Sequence, residues 1–434
     1  MKSIKYKKNI KKVLLLSALL STAVFADGLT LSKSYEAALN YEAKIKSLGY
    51  QQKVKKIEID MAESRLYPQI DASGTYQRRR YEYRGVNRDE NYHSYSLSLN
   101  QMLYHPEVLA QIESSELQYD LSSLNLTKQK QLIAYNITDT YLQILRIKNS
   151  IKVAEAYLDT ARVHYQQIEK KFQLRLANKM DYLESKVLLK EAEIRVEQER
   201  SSLMVSKMRL KSLTGIEVGT LPDVDFESID VTKLSLDNQT SLSNSLELGR
   251  AQKSFELSKK DIDISEFGHY PKLDLRGSFS NLSSKEIINE YQDDRRVMLT
   301  LSIPIYKGGY VSSEIQKNKL LLSAASQNME DIKREESVKY DEFKAQYYVA
   351  MNNILLYKES KLSAKAYLDS VNLAYEKGLK SILDVEDAKK KFTETQYKLI
   401  DSIYQLIRAY TGVLNITGKM DEEHLAQLDN LLGI

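Results

Sequence analysis

The sequence predicts a mainly α-helical protein with a smaller membrane β component. Its fold class is a duplicated repeat of helix, strand, strand, long helix and helix. Three observations predict this class: an export signal at the N-terminus, an internal repeat that covers most of the chain, and two very long stretches without glycine or proline, each preceded by alternating strands.

Residues 1–26 have the pattern of a cleaved signal peptide. Six lysines precede an apolar run from Val13 to Phe25, and Ala26 ends a suitable cleavage motif, so we expect the exported chain to begin at Asp27. The run is too short for a membrane-spanning helix, which needs about 20 residues. Removing the six lysines changes the formal net charge from +4 to −2, so the basic balance does not indicate nucleic-acid binding.

An internal repeat organises the rest of the chain. Residues 56–74 and 259–277 share the pattern K-x-[DE]-I-D-x-x-E-x-x-x-Y-P-x-[IL]-D-x-x-G, and further blocks match at nearly the same offset. We therefore divide the chain into repeat 1 (27–215), a linker (216–243), repeat 2 (244–418) and a C-terminal tail (419–434).

Two segments, about 69–104 and about 272–306, show the period-two alternation of strands. In repeat 2, for example, Leu299 and Leu301 oppose Thr300. Apolar-out, polar-in strands of about 10 residues suit a water-filled membrane barrel, whereas a half-buried sheet in a soluble protein is the alternative that the strands alone leave open. The signal peptide favours the barrel. The polar stretches 77–93 and 282–295 are predicted to be its outer loops.

Four strands are too few for such a barrel. Closing a barrel around a pore takes about eight strands, so this one would require several chains.

Long helices are predicted at about 107–214 and about 311–417. No glycine or proline occurs between Pro106 and Gly215, or between Tyr310 and Gly378. The uninterrupted stretch before Gly378 would run about 100 Å as one helix. Such a length implies coiled-coil packing or a helical barrel, with two shorter helices stacked end to end against each long one.

Each long helix is followed by a break. In repeat 2, Gly378 can take the left-handed C-cap conformation, and Ser381 or Asp384 can cap the next helix. Asp384 and Asp387 lie three residues apart and therefore share one helix face. The corresponding positions of repeat 1 are Asn178 and Asp181.

Taken together, these residues resemble the TolC family of outer-membrane efflux proteins over about 30–418. The resemblance is carried by the duplication, the Y-P-x-[IL]-D stretches, the junction Pro304-Ile305-Tyr306-Lys307-Gly308-Gly309, and Leu383-Asp384-Val385 after the break. It implies a homotrimer with a twelve-stranded outer-membrane β-barrel, continuous with a periplasmic α-helical barrel that the linker and tail ring at its equator.

The resemblance also implies a function and partners. It indicates the exit duct of a tripartite efflux pump or a type I secretion system, docked on a periplasmic adaptor (membrane fusion) protein and an inner-membrane pump. Drugs, toxic compounds or proteins would pass through it to the outside.

By residue match, the breaks would form the closed periplasmic tip. Asp384 and Asp387 would supply rings of carboxylates at the constriction, where crowded acids should have raised pKa values and bind multivalent cations. A latch network would hold the tip shut; its residues would be Asp181, Tyr375, Lys380 and Glu184. The family's best-known member has arginine at the position of Lys380, and lysine cannot make the same bidentate contact. The alternative is that these aspartates are helix caps or solvated acids.

No enzyme signature is present. The chain has no phosphate-binding loop and no cysteine, and its five histidines lack metal-ligand spacing, so we expect no catalysis, cofactor or metal site and no nucleic-acid partner. The alternative class is a soluble periplasmic coiled-coil adaptor or structural rod. It would share the signal and the helices but would not need four alternating strands.

Overall fold

The computed structural model describes residues 29–219, 221–236, 241–284 and 292–434. The predicted signal peptide lies outside the described residues. The elements, in chain order, are α1 (Leu31–Tyr41), α2 (Ala43–Glu63), β1 (Gln69–Tyr83), β2 (Val86–Tyr104), α3 (Pro106–Gln173), α4 (Lys179–Thr214), α5 (Leu246–Glu266), β3 (Lys272–Ser284), β4 (Gln292–Ser302), α6 (Tyr310–Glu376), α7 (Ile382–Ile416) and α8 (Glu422–Leu432).

The first predicted helix is divided in two. The backbone is extended at Glu42, between α1 and α2. Both parts contact α3, but only α1 also contacts the C-terminal helix α8, whereas α2 runs along α3. Asp429 of α8 accepts hydrogen bonds from the backbone N–H groups of Leu31 and Ser32, at 2.9 and 3.0 Å, and so holds the start of α1.

The four strands form one open antiparallel sheet in the order β1-β2-β3-β4. Its register brings Ile70 opposite Leu99, and Leu275 opposite Leu299, which gathers apolar side chains on one face. That face is exposed in the single chain, and Val297 retains 81% of its accessible surface. The other face is polar.

The predicted outer loop at 77–93 is wrong. β1 and β2 continue through almost all of it, and only Arg84 and Gly85 form the turn, both with positive φ, as in tight hairpins. Cross-strand ion pairs on Asp89, made by Arg78 and Arg80 at 2.8 and 3.1 Å, stabilise this polar part. Apolar alternation could not reveal it because the strands here are polar on both faces.

The strands of repeat 2 also differ from the prediction. β3 and β4 extend into the stretch 282–295, of which residues 285–291 lie outside the described part. β4 ends at Ser302, short of the predicted 306. Pro304 follows soon after, and proline has no N–H to donate to a strand ladder.

Two very long helices span the protein. α3 has 68 residues and α6 has 67, each about 100 Å long at 1.5 Å per residue. As predicted, two shorter helices lie along each long one: α2 and α4 along α3, and α5 and α7 along α6.

Among the described helices, none combines the length and the apolar character needed to cross a membrane.

The main core lies halfway along these rods. Fully buried side chains from α3, α6 and α7 meet there, including Tyr141, Ile354 and Leu406. The linker joins this core through Phe226, and Asn149 of α3 holds the linker backbone by donating to Val224 and accepting from Phe226, at 2.8 and 3.3 Å. The core therefore ties both repeats together at mid-length, away from the sheet and from the helix breaks.

Candidate functional site at the helix breaks

The first break, residues 174–178 between α3 and α4, is closed by local hydrogen bonds. Arg175 adopts the left-handed conformation with φ 61°, and the N–H of Leu176 donates to the carbonyl of Lys171 at 2.7 Å. This is the helix C-terminal motif in which glycine is usual. Asn178 then caps α4, its side-chain oxygen accepting from the N–H of Asp181 at 2.8 Å.

Aromatic side chains of the two flanking helices pack against each other beside the first break. Tyr182 of α4 stacks on Phe172 of α3, with ring centroids 4.9 Å apart and planes within 13°. Its hydroxyl lies 3.3 Å from that of Tyr165, which donates to Glu169 at 2.8 Å. The turn is therefore held by side chains from both helices.

The second break, residues 377–381 between α6 and α7, uses the expected residue types. Gly378 has φ 74°, and the N–H of Leu379 donates to the carbonyl of Ala374 at 2.9 Å. Ser381 and Asp384 form a reciprocal capping box: the N–H of Asp384 donates to the serine hydroxyl at 3.3 Å, and the N–H of Ser381 donates to the aspartate at 2.9 Å.

Lys380 completes the environment of Asp384. Its Nζ lies 2.9 Å from Asp384 Oδ1. The hydrogen bond from Lys380, with those from the Ser381 hydroxyl and N–H, lowers the pKa of Asp384 to about 2, and Asp384 raises the pKa of Lys380. The direction for Asp384 is opposite to that expected from a ring of acids, because within one protomer its nearest charge is a cation.

The other predicted site residues are spread around the two breaks. Asp387 is exposed one turn after Asp384, and Asp181 and Glu184 are half-buried near the start of α4. Tyr375 packs on a small apolar cluster that joins the end of α6 to the start of α7: Leu368, Val371, Val385 and Ala388. Within the described part of one protomer, no hydrogen bond or ion pair joins Asp181 or Glu184 to Tyr375 or Lys380.

A buried polar group near the breaks was missed by sequence reasoning. His164 of α3 and Glu386 of α7 are both buried, with His164 Nδ1 3.7 Å from Glu386 Oε1. Lys389 donates to the same carboxylate at 3.0 Å. His164 Nε2 and Glu386 Oε2 have no hydrogen-bond partner among the described residues. In the sequence His164 is one of five scattered histidines and Glu386 belongs to a charged helix. Neither residue therefore stood out as a candidate for a buried polar pair.

The fold pairs long helices below an open sheet with an exposed apolar face, and the capped helix breaks lie at the end opposite the sheet. These features define the class of protein: the subunit of an outer-membrane exit channel. The chain belongs to the outer membrane efflux protein family, whose profile matches residues 35–216 and 238–419. The predicted relation to TolC is thereby confirmed. The protein is an exit duct of the cell outer membrane, and membership of a transport family agrees with the prediction that it is not an enzyme.

Known relatives resemble the chain over almost its full length. Outer membrane protein TolC of Vibrio cholerae is 20% identical over 419 residues, covering 94% of this chain and 95% of that protein. The proteases secretion protein PrtF of Dickeya chrysanthemi is 21% identical over 446 residues, covering 96% and 94%. The solved CmeC outer membrane channel of Campylobacter jejuni has a TM-score of 0.77 and 14% identity, covering 94% of this chain and 90% of that one. This likeness confirms the mainly helical channel fold.

Proposed function

We propose that three copies of this chain close a twelve-stranded β-barrel in the outer membrane, continuous with an α-helical tunnel in the periplasm. The observation that carries the proposal is the open sheet. Its outer strands β1 and β4 have no partner strand within the described chain, and the half of one sheet face that lies toward the helices is exposed and apolar. Four strands are too few for a pore, whereas three sets of four exceed the practical minimum of about eight.

The helices support the same assembly. Large apolar side chains are exposed along α4 and α6 of the single chain, including Ile194, Met208, Leu320, Leu355 and Leu362. Scattered exposed leucines are normal, but a series along rods of this length indicates packing against further helices. Neighbouring copies would cover these side chains as they complete the tunnel wall.

Cross-linking tests the assembly directly, because the natural chain has no cysteine. Ser73→Cys on β1 and Thr300→Cys on β4, combined in one chain and treated with a flexible bifunctional maleimide in outer-membrane vesicles, should give products that stop at three chains. The control pair is Ser96→Cys with Ser280→Cys, which face each other within one sheet and should link only inside one chain. A protein that washes off the membrane as a monomer would instead support the soluble rod.

We further propose that the helix breaks form the closed periplasmic tip. α3 and α6 start close to the sheet and run about 100 Å, so their breaks lie at the end farthest from it. Asp384 and Asp387 would form the carboxylate rings of the constriction. Asp181, Glu184, Tyr375 and Lys380 would form the latch through contacts between protomers.

Planar-bilayer conductance tests the constriction. The double variant Asp384→Ala with Asp387→Ala should weaken block of the pore by multivalent cations, since it removes two of the acids that each copy contributes. The matched control is Asp369→Ala, which removes an exposed acid of α6 that pairs with Lys365, outside the constriction. Unchanged block in the double variant would refute the assignment.

For the pathway, we propose that the duct receives cargo from an inner-membrane pump through a periplasmic adaptor protein. The relatives support two kinds of cargo, since they include a proteases secretion protein and an outer membrane efflux protein. A deletion strain separates the two: drug sensitivity indicates efflux of small molecules, whereas loss of proteins from the medium indicates secretion.

A further inference from the structure

In the register of the sheet, the apolar face ends six residues lower on β4 than on β1, because Val297 lies in line with Gly277, Leu99 and Ile70. Barrel strands tilt by about 35–45°, and in the proposed barrel this stagger brings both ends to one membrane edge. On β1 the face runs from Ile70 to Tyr76, and on β4 it runs upward to Val297. On β2 the corresponding positions run from Tyr95 to Leu103, nine residues, which is within the about 9–11 residues of a tilted transmembrane strand. The next residues of this face mark the edge of the band.

Arginines occupy that edge on both outer strands. Arg78 is the next residue of the apolar face after Tyr76, and Arg295 is the next after Val297. The guanidinium of Arg295 lies over the ring of Phe279, 5.6 Å from its centroid, so its stem covers apolar surface while its charge remains outside.

A second arginine reinforces the β1 side. Arg78 and Arg80 share the single carboxylate of Asp89, which Arg80 contacts through both Nε and Nη2, at 3.3 and 3.1 Å. Two guanidiniums on one carboxylate leave one positive charge in excess within this cluster. Glu82 and Asp293 lie on the same face but two residues farther from the apolar band than Arg80 and Arg295. The side chains of Arg78 and Arg80 are both more than half exposed, so N–H donors remain available to a ligand.

Assembly would bring the two sides together. β1 and β4 are the outer strands of each sheet, so in the proposed trimer β4 of one copy lies beside β1 of the next. Arg295 of one copy would then face Arg78 and Arg80 of its neighbour across the subunit boundary. The hairpin turn at Arg84 lies at the end of the sheet away from the helices, and the arginines therefore lie toward the cell exterior.

We propose that Arg78, Arg80 and Arg295 form an outward-facing site that binds the phosphate groups of phosphorylated glycolipids in the outer leaflet. This inference rests on the proposed barrel. Lipid head groups lie where the apolar band ends, and the planar guanidinium fork matches phosphate oxygens bidentately. The excess positive charge complements phosphate, whereas the apolar face below it accommodates acyl chains. Three such sites would also bridge the subunit boundaries.

Arg79 provides an internal control. It lies between the two site residues in sequence but on the opposite face of β1, where its guanidinium stacks over the ring of Tyr81 at 4.8 Å. Arg276 of β3 likewise lies on the polar face, since its neighbours Leu275 and Gly277 share register with Leu299 and Val297. Replacing these two arginines removes the same charge as replacing two site residues.

The experiment compares two double variants of the full chain, purified as detergent-solubilised oligomers. Arg78→Gln with Arg295→Gln removes two site residues and leaves the Arg80–Asp89 pair to hold the hairpin. Arg79→Gln with Arg276→Gln is the matched control. The probes are diphosphoryl lipid A and the same lipid stripped of its phosphates, with binding measured by native mass spectrometry.

We expect the site variant to bind diphosphoryl lipid A about tenfold more weakly than the wild type, and the control to stay within about threefold. The wild type should prefer the phosphorylated lipid. Equal loss in both variants, or equal binding of both lipids, would overturn the site and leave the barrel proposal standing. Absence of an oligomer from the outer-membrane fraction would overturn both.

Discussion

A single carboxylate at the second break illustrates how local contacts set charge. Asp384 receives hydrogen bonds from Lys380 and from the hydroxyl and N–H of Ser381, and its pKa falls to about 2. Its folded-state pKa lies below the ordinary value, so the stabilisation of the cap is present at neutral pH and is lost only as the pH falls toward about 2. Asp384 therefore stays ionised across physiological pH.

Removing the lysine should change the pore. Lys380→Ala takes away the cation nearest to Asp384, so the proposed tip becomes more negative and loses a latch contact. We expect a leakier closed pore in planar bilayers. Lys377→Ala is the matched control, because Lys377 is an exposed lysine three residues away at the end of α6. Wild-type conductance in Lys380→Ala would exclude Lys380 from the latch.

The buried His164 is a second residue whose protonation matters. Burial lowers its pKa below the ordinary 6.5; Glu386 opposes this shift, and Lys389 and Lys171 add to it. His164 lies on α3 and Glu386 on α7, so the group joins the two helical hairpins just above the breaks. The histidine is neutral in the folded protein at neutral pH.

Acid should therefore loosen the contact between α3 and α7. The unfolded chain keeps the ordinary histidine pKa and binds more protons below about 6.5, so the free energy of unfolding decreases as the pH falls through that window. Amide hydrogen exchange in the first turns of α7, corrected for intrinsic rates, should be faster at about pH 5 than at about pH 7.5. His164→Gln should remove this acid effect, whereas the exposed His269→Gln should keep it.

At the scale of elements, one close helix contact is sensitive to a single methyl group. A Cβ added to Gly412 of α7 would lie 2.4 Å from the ring of Phe343 on α6. Gly49 of α2, also in a helix, has nothing within 4 Å of the same position. A larger side chain at Gly412 would therefore clash with Phe343, whereas there is room for one at Gly49.

Alanine at these positions should have opposite effects. Gly412→Ala should destabilise the protein by about 1–3 kcal/mol through overpacking. Gly49→Ala should be neutral or stabilising by up to about 1 kcal/mol, because alanine is the better helix former. The temperature at which the purified oligomer dissociates in detergent measures both. A lower temperature for Gly49→Ala than for Gly412→Ala would contradict this account.

At the scale of the whole molecule, the alternation of the sheet decides what each face meets. Leu299 and Thr300 are neighbours on β4 that point to opposite faces, and Leu299 is exposed in the single chain although it is apolar. In the proposed barrel Leu299 contacts lipid and Thr300 contacts water in the lumen.

A lysine scan of these two neighbours tests the orientation. Leu299→Lys places a charge within the apolar band and should cost about 2–4 kcal/mol per copy, which three copies multiply. We expect little SDS-resistant oligomer in the outer membrane for this variant. Thr300→Lys should assemble normally, because its side chain remains in water. Equal assembly of both variants would show that the apolar face does not contact lipid.

The features that the sequence by itself determined are those governed by local rules. Glycine and proline placement predicted the long helices and the second break, because these residues alter the backbone where they stand. The first break contains neither residue and was predicted from the internal repeat. Period-two alternation predicted the strands wherever one face was apolar. The capping positions at Asn178, Gly378 and Ser381 followed from the same local chemistry, and the duplication and family motifs led to the channel class.

Only the tertiary structure decided which distant residues meet. The structure shows that β1 and β2 continue as a polar hairpin above the apolar band, where Arg78 pairs with Asp89 across the strands. It also shows that His164 lies beside Glu386, because α3 packs against α7. The same holds for Asn149 and the linker, and for Asp429 at the start of α1. The physical reason is that such pairs form only at one rotation and one register of the packed elements. The pattern of charged and polar residues along a helix or strand does not specify that rotation or register.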